Sequence, residues 1–291
     1  MTGRARPTTA QLTIGQCATW ACLWEVAAPK VGNVNRGADF DNLTLYDFNA
    51  SAVAIGPVMD RAEGQAVGCT IREAIVATRR LVSTNTNLGM VLLIAPWAAV
   101  PRDQPLAAGI HDCLQALTHE DARSVYQAIR LAEPGGLGRM DTMDVMDPAP
   151  NDLLAAMALA ADRDLVARQY TNDFQQILHE VTPRLVALHD DGLPISHAIV
   201  RAHLELMGRY PDSLIGRKCG SKLAEESALR AQHVLEQVAL SDQAYQQALA
   251  DFDFWLRSDG HRRNPGTTAD CVAAGLFAAL REGYLVPQTA Q

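Results

Sequence analysis

The sequence predicts an all-α protein. Three observations carry this reading: aromatic residues make up only 5% of 291 positions, period-two alternation of apolar and polar residues is hard to find, and Ala, Leu, Gln, Arg and Glu dominate most windows. Apolar residues recur at helical spacing, as in Leu153, Leu154, Met157 and Leu159, or Leu178, Val181, Leu185 and Leu188. No internal repeat, heptad or shift of composition divides the chain, so residues 1–291 read as one domain, with 1–8 and 286–291 as flexible ends.

Taken in order, the first helix spans 9–28 and stops at Pro29, where the polar, glycine-containing break PKVGNVNRGADFD begins. Helices over 42–65 and 68–82 follow. The run Ser83 to Asn87 then precedes an apolar helix over 88–99, which Thr86 or Asn87 is placed to cap. Helices over 105–117 and 119–132 lead to a second break, EPGGLGRMDTMDVMDPAPND. Next come helices over 151–161, 165–190, 195–208, 220–239 and 241–257. The third break, SDGHRRNPGTT, ends in Asn264-Pro265-Gly266, after which Thr267 or Thr268 caps a last helix over 267–283 with Asp270 in its first turn.

Composition narrows the function. An apolar share of 48% and a mean hydropathy of −0.04 suit a soluble globule with a sizeable core. The longest apolar run, Met90 to Val100, contains Pro96 and is too short for a bilayer, and residues 1–15 lack a secretory signal; a cytoplasmic protein is expected. Six cysteines without a CxxC pair give neither a disulfide framework nor a zinc site. A net charge of −8 argues against nucleic acid, and requires that any polyanionic ligand be held by a local positive cluster. No GxSxG, HExxH, P-loop or kinase signature is present.

In an all-helical chain, functional groups collect in polar breaks, where backbone donors are free. The first break brings Lys30, Arg36, Asn33, Asn35, Asp39 and Asp41 within a dozen residues, a mixture that suits a phosphate with a divalent ion. Asn85, Thr86, Asn87 and Gly89 mark a helix start, and free N–H groups there attract phosphate. The second break holds Gly135, Gly136 and Gly138 without GxGxxG spacing; it is either a connector or a loop carrying Arg139, Asp141 and Asp144 toward a site. Asp164 and Arg168 stand at i and i+4, as a surface pair or as ligand contacts. Arg262 and Arg263, with His261 beside them, precede the Asn264–Gly266 helix start and suggest a second anion cradle.

In this order the segments resemble the ATP:dephospho-CoA triphosphoribosyltransferase (triphosphoribosyl-dephospho-CoA synthase) family. Its E-V-x-x-x-P-K-P-G-x-V-x-R segment is matched by Glu25-Val26 and Pro29 to Arg36, and its G-x-N-T-H-K-G segment in part by Thr84 to Gly89. An R-D-T-like segment corresponds to Arg163-Asp164-Leu165-Val166, and N-x-x-P-G-G-S-A-D-L to Arg263 through Cys271. The resemblance spans about residues 15–283. Asn87-Leu88 stands where the family has His-Lys, Val31 where it has a second proline, and Gly266-Thr267-Thr268 for Gly-Gly-Ser.

The resemblance implies a transferase that takes ATP and 3′-dephospho-CoA, expels adenine, and joins the triphosphorylated ribose to the acceptor ribose. It implies Mg2+ and triphosphate binding by Lys30, Arg36, Asp39, Asp41, Arg262 and Arg263, with Asn85 to Gly89, Asn264 and Gly266 as a phosphate cradle. Asp270 and Glu73 become candidates for base or metal-ligand work, and Asp164 with Arg168 for ribose or phosphate contacts. The expected partners are ATP and a small-molecule acceptor, with a homodimer allowed and neither nucleic acid nor membrane. A divergent branch, in which N-T-N-x-G is the normal form, implies a second reading: a kinase or transferase on a phosphorylated small molecule in one-carbon carrier coenzyme biosynthesis. A third is a helical nucleotide-binding protein without turnover.

Overall fold

The fold is organised around two helices that are apolar on nearly every side and so must be buried on every side. In the computed structural model, which describes residues 11–135 and 143–287, these are α4 (Leu88–Ala99) and α14 (Gly266–Arg281). Every residue of α4 from Met90 to Ala98 is buried, as is every residue of α14 from Cys271 to Arg281. Around them pack α1 (Ile14–Ala27), α2 (Leu45–Met59), α3 (Val67–Arg79), α5 (Leu106–Gln115), α6 (His119–Ala132), α7 (Leu153–Ala160), α8 (Leu165–Thr171), α9 (Thr182–Asp190), α10 (Ile195–Arg209), α11 (Ser213–Cys219), α12 (Ser221–Gln237) and α13 (Asp242–Arg257). The described residues contain no strand, only isolated bridges such as Asn35 with Ala38 inside the first break. No described helix is long and apolar enough to cross a membrane.

Most expected helices stand where periodicity places them, and 88–99 and 119–132 match to the residue. Three expectations need correction. The helix over 42–65 is shorter, since Thr44 caps α2 and the chain leaves the helix after Met59. The helix over 165–190 is broken: Asp173 and Phe174 adopt left-handed φ of 55° and 60°, and a π-helical turn (Ile177–Val181) precedes α9. Left-handed backbone costs about 1–2 kcal/mol per residue. Burying Phe174 recovers about 1.5–3 kcal/mol; its ring is fully buried, 4.8 Å from Trp97 and 5.7 Å from Tyr170. The helical step alone would not bring that ring into the core.

The third correction is α11, a seven-residue helix that periodicity over so short a segment does not reveal. Asp212 starts it, accepting from Leu214 and Ile215 N–H at 2.9 Å through Oδ1. Its other oxygen accepts from the Thr268 N–H and hydroxyl at 2.8 Å, so one buried carboxylate joins the starts of α11 and α14. Neither Thr267 nor Thr268 therefore caps α14 in the expected way; its N-cap position is Pro265. Of the second break, Gly136, Gly138, Arg139 and Asp141 lie outside the described residues, as do 1–8 and 288–291 of the two ends.

Candidate functional site

A cleft of about 570 Å³ opens between the start of α4, the start of α14, α7, the turn before α8, and α11. Its lining is apolar in part, with Phe48, Tyr126, Met146 and Met157, and charged in part. Asp270 of α14 lies there and makes no hydrogen bond or ion pair among the described residues. It packs directly on the first turn of α4: a Cβ added to Gly89 would stand 2.0 Å from Asp270 Oδ2. The glycine expected to permit close approach thus admits this carboxylate. Asp270 retains a face toward the cleft, yet the depth of its surroundings and the carboxylates of Glu25, Asp212 and Asp164 hold its pKa well above the usual range, with Arg217 pulling the other way.

Two of the cations that line Asp270's cleft come from a place the sequence reading did not single out. Arg217 and Lys218, at the end of α11, line it together with Arg163. Arg217 donates to Asp164 Oδ2, while Asp164 Oδ1 caps α8 through the N–H groups of Val166 at 2.9 Å and Ala167 at 3.2 Å. Burial, and then the neighbouring Arg217 charge, lower the pKa of Lys218. His261 also lines the cleft, its pKa lowered by burial and by Lys218. The only sequence signal for this group is Pro211-Asp212-Ser213, a helix start, followed by Arg-Lys in the last turn of a short helix.

At the start of α4, Asn85 Oδ1 accepts from the Leu88 N–H at 3.2 Å, Thr86 bonds the Ser51 hydroxyl at 2.5 Å, and Asn87 Nδ2 donates to Thr78 Oγ1 at 3.0 Å. Asn87 occupies the N-cap position without capping through its side chain, and Leu88 is buried in the core. Asn85, Thr86, Asn87 and Gly89 all line the cleft. So do Asn264, which accepts from Asn33 Nδ2 at 3.2 Å, and Gly266.

The remaining expected site residues are not brought to the cleft. Lys30 is buried beneath it, paired with Glu25 Oε1 at 2.9 Å and donating to the Glu25 and Ala28 carbonyls. Arg36, Asp39 and Asp41 are exposed on the first break, where Asp39 accepts from the Leu45 N–H at 2.7 Å. Arg262 pairs with Asp259 at 3.4 Å, and Arg263 lies 4.6 Å from the Trp255 ring centre and donates to the Trp255 carbonyl. Arg168 does not meet Asp164; it turns back to the Ala161 carbonyl at 3.0 Å. Glu73 sits on the outer face of α3 against Arg61 at 3.4 Å. Among the described residues no group of three or more His, Cys, Asp and Glu side chains gathers into a metal site, and Asp39 and Asp41, expected as metal ligands, both lie exposed on the first break.

The contact between Gly89 and Asp270 has a direct test. Gly89→Ala is expected to lower catalytic turnover about 100-fold, because a displacement of about 1 Å at a reacting group costs that much. Far-ultraviolet circular dichroism and the unfolding midpoint are expected to change little, since the group that must move is the end of one side chain.

The family model described as ATP:dephospho-CoA triphosphoribosyl transferase matches residues 11–288. A crystal structure from Archaeoglobus fulgidus, assigned as a triphosphoribosyl-dephospho-CoA synthase, is similar at a TM-score of 0.63 and 25% identity, over 81% of this chain and 99% of that one. Among curated proteins, none matches the chain. With the family model covering nearly its whole length and the motif residues Asn85, Gly89, Asp164, Asn264 and Asp270 gathered in one cleft, the chain belongs to the ATP:dephospho-CoA triphosphoribosyl transferase family.

Proposed function

We propose that this cleft transfers the triphosphoribosyl group of ATP to a hydroxyl of the 3′-dephospho-CoA ribose. Asp270 carries the reading: a carboxylate with a raised pKa, packed on a helix start in a cleft that three cationic side chains also line. The acceptor oxygen bonds to C1′ of the ATP ribose as the bond from C1′ to the adenine nitrogen breaks. The hydroxyl proton passes to Asp270, and the leaving electron pair departs with adenine, which takes a proton from water. A raised carboxylate pKa brings Asp270 nearer to the working pH, where general-base catalysis is most effective.

The acidic surroundings have a role in the same step. Glu25, Asp164 and Asp270 would be a poor setting for a triphosphate alone, but positive charge develops on the ribose as adenine leaves, and fixed negative groups stabilise it. Arg163, Arg217 and Lys218 take the triphosphate. In this chain they supply the positive charge that the family's lysine provides in the segment where Leu88 stands. Magnesium binds through one or two carboxylates and substrate phosphates; with both Asp164 oxygens already taken by Arg217 and by the Val166 and Ala167 N–H groups, it would be held chiefly by the triphosphate, whose charge it would neutralise. The apolar wall suits adenine or the acceptor's pantetheine arm.

Incubation with ATP, a divalent ion and dephospho-CoA is expected to yield free adenine and a product heavier than dephospho-CoA by one triphosphoribosyl unit. Formation of ADP with some other acceptor would favour the kinase reading instead. ATP-induced thermal stabilisation with no turnover under any acceptor would point to a binding protein. The family membership favours the first outcome over both.

A further inference from the structure

The cleft contains a surplus of hydrogen-bond acceptors that the reaction as described does not use. Among the described residues, four buried side-chain oxygens have no hydrogen-bond partner: Glu25 Oε1, Asn33 Oδ1, Thr84 Oγ1 and Asn87 Oδ1. All four belong to residues that line this one cleft. Glu25 Oε1 already has the Lys30 ammonium 2.9 Å away. The other three are neutral and unmet.

The two asparagines are arranged alike. Asn33 Nδ2 is taken by Asn264 Oδ1, and Asn87 Nδ2 by Thr78 Oγ1, so in each case the protein uses the amide nitrogen and leaves the carbonyl oxygen. Asn33 is 6% exposed and Asn87 4%, so neither oxygen is satisfied by open solvent. A buried acceptor left without a donor destabilises the site, and a ligand that brings donors recovers that loss. The triphosphate cannot do so, because it carries acceptors. A ribose can: each hydroxyl donates one hydrogen, and a vicinal pair presents two donors side by side.

We propose that Asn33, Thr84 and Asn87 form a subsite for a vicinal ribose diol, with the hydroxyls donating to Asn33 Oδ1 and Asn87 Oδ1 and with Thr84 Oγ1 as the third partner. The choice of ribose as ligand rests on the nucleotide reading given above. Two riboses enter that reaction, in ATP and in the acceptor, and both offer this chemistry. The consequence is selectivity by omission: a site that leaves its own buried acceptors unpaired rejects an analogue lacking the hydroxyl.

The test is a set of cycles pairing Asn33→Ala, Asn87→Ala and Thr84→Val with ATP, 2′-deoxy-ATP and 3′-deoxy-ATP, and in a second arm with dephospho-CoA and its acceptor-ribose monodeoxy analogues. The wild type is expected to discriminate against a matching deoxy compound by about 10–100-fold in kcat/KM, and at least one variant to lose about 10-fold of that discrimination. Coupling to the ATP analogues assigns the diol to ATP, and coupling to the acceptor analogues assigns it to the acceptor. Thr84→Val is nearly isosteric on a half-exposed turn, so it keeps the test open if an asparagine variant fails to fold. Thermal stabilisation by the same nucleotides gives a second readout that needs no turnover. If adenine is never released but the stabilisation cycles still couple, the reaction fails and the diol subsite stands. Equal discrimination in all three variants against every deoxy analogue, or coupling only to inosine triphosphate in place of ATP, would overturn the subsite.

Discussion

Asp270→Asn is expected to lower adenine release by about 10²–10⁴-fold, the usual contribution of a general base. The substitution keeps the shape that packs on Gly89 and removes only the ability to take a proton. Burial and the carboxylates of Glu25, Asp212 and Asp164 raise the Asp270 pKa, and a general base takes a proton only in its ionised form. Wild-type activity should therefore fall as pH drops through that raised value, giving an acid limb above the ordinary carboxylate range. The Asn variant should lose this limb. Stability should move the other way: a carboxyl whose folded pKa is raised contributes stability at low pH that is lost as pH rises through that value. At neutral pH the Asn variant is thus expected to melt no lower than wild type, which separates lost chemistry from lost fold. An unchanged rate in the variant would remove Asp270 from the reaction.

Lys30→Met is expected to destabilise the protein by about 3–5 kcal/mol, the typical cost of leaving one partner of a buried ion pair alone. Lys30 is 1% exposed and Glu25 2%, and no other cation reaches Glu25 among the ion pairs of the described residues. Burial raises the Glu25 pKa while Lys30 opposes the rise. Without Lys30 that pKa rises further, so the deficit should widen as pH increases. Urea unfolding at two pH values measures this, and Lys30→Met combined with Glu25→Gln should recover most of the loss. A triphosphate ligand role for Lys30 makes the opposite demand: stability nearly unchanged and ATP-induced stabilisation abolished.

Lys30 also shows what the sequence can and cannot convey. Its neighbours Pro29, Gly32 and Arg36 place it in a polar break, and the family pattern offers it as a triphosphate ligand, yet the fold buries it against Glu25. Whether its ammonium points to a ligand or to Glu25 is decided by packing that local sequence does not encode. The same applies to Arg262 and Arg263, which the sequence offers as a cradle and the fold turns to Asp259 and Trp255. Helix existence was legible where pattern and start are both strong, as in α6, which Thr118 and Asp121 open with a capping box. The break at Asp173 and Phe174 was not, because a core ring overrides a continuous helical pattern there. Arg217 and Lys218 were hidden for a related reason: α11 is too short to show a period, and its place beside Asp164 arises from a contact 53 positions apart in the chain. The run from Asn85 to Gly89 was the most legible part of the site, since cap chemistry and a glycine are local signals.

A crystal structure of the protein with ATP and magnesium, in the absence of acceptor, tests the central claim most directly. The triphosphate is expected against Arg163, Arg217 and Lys218, with the ribose C1′ facing Asp270 and the start of α4. A triphosphate seated instead on Arg36, Arg262 and Arg263, with the cleft beside Asp270 empty, would contradict it.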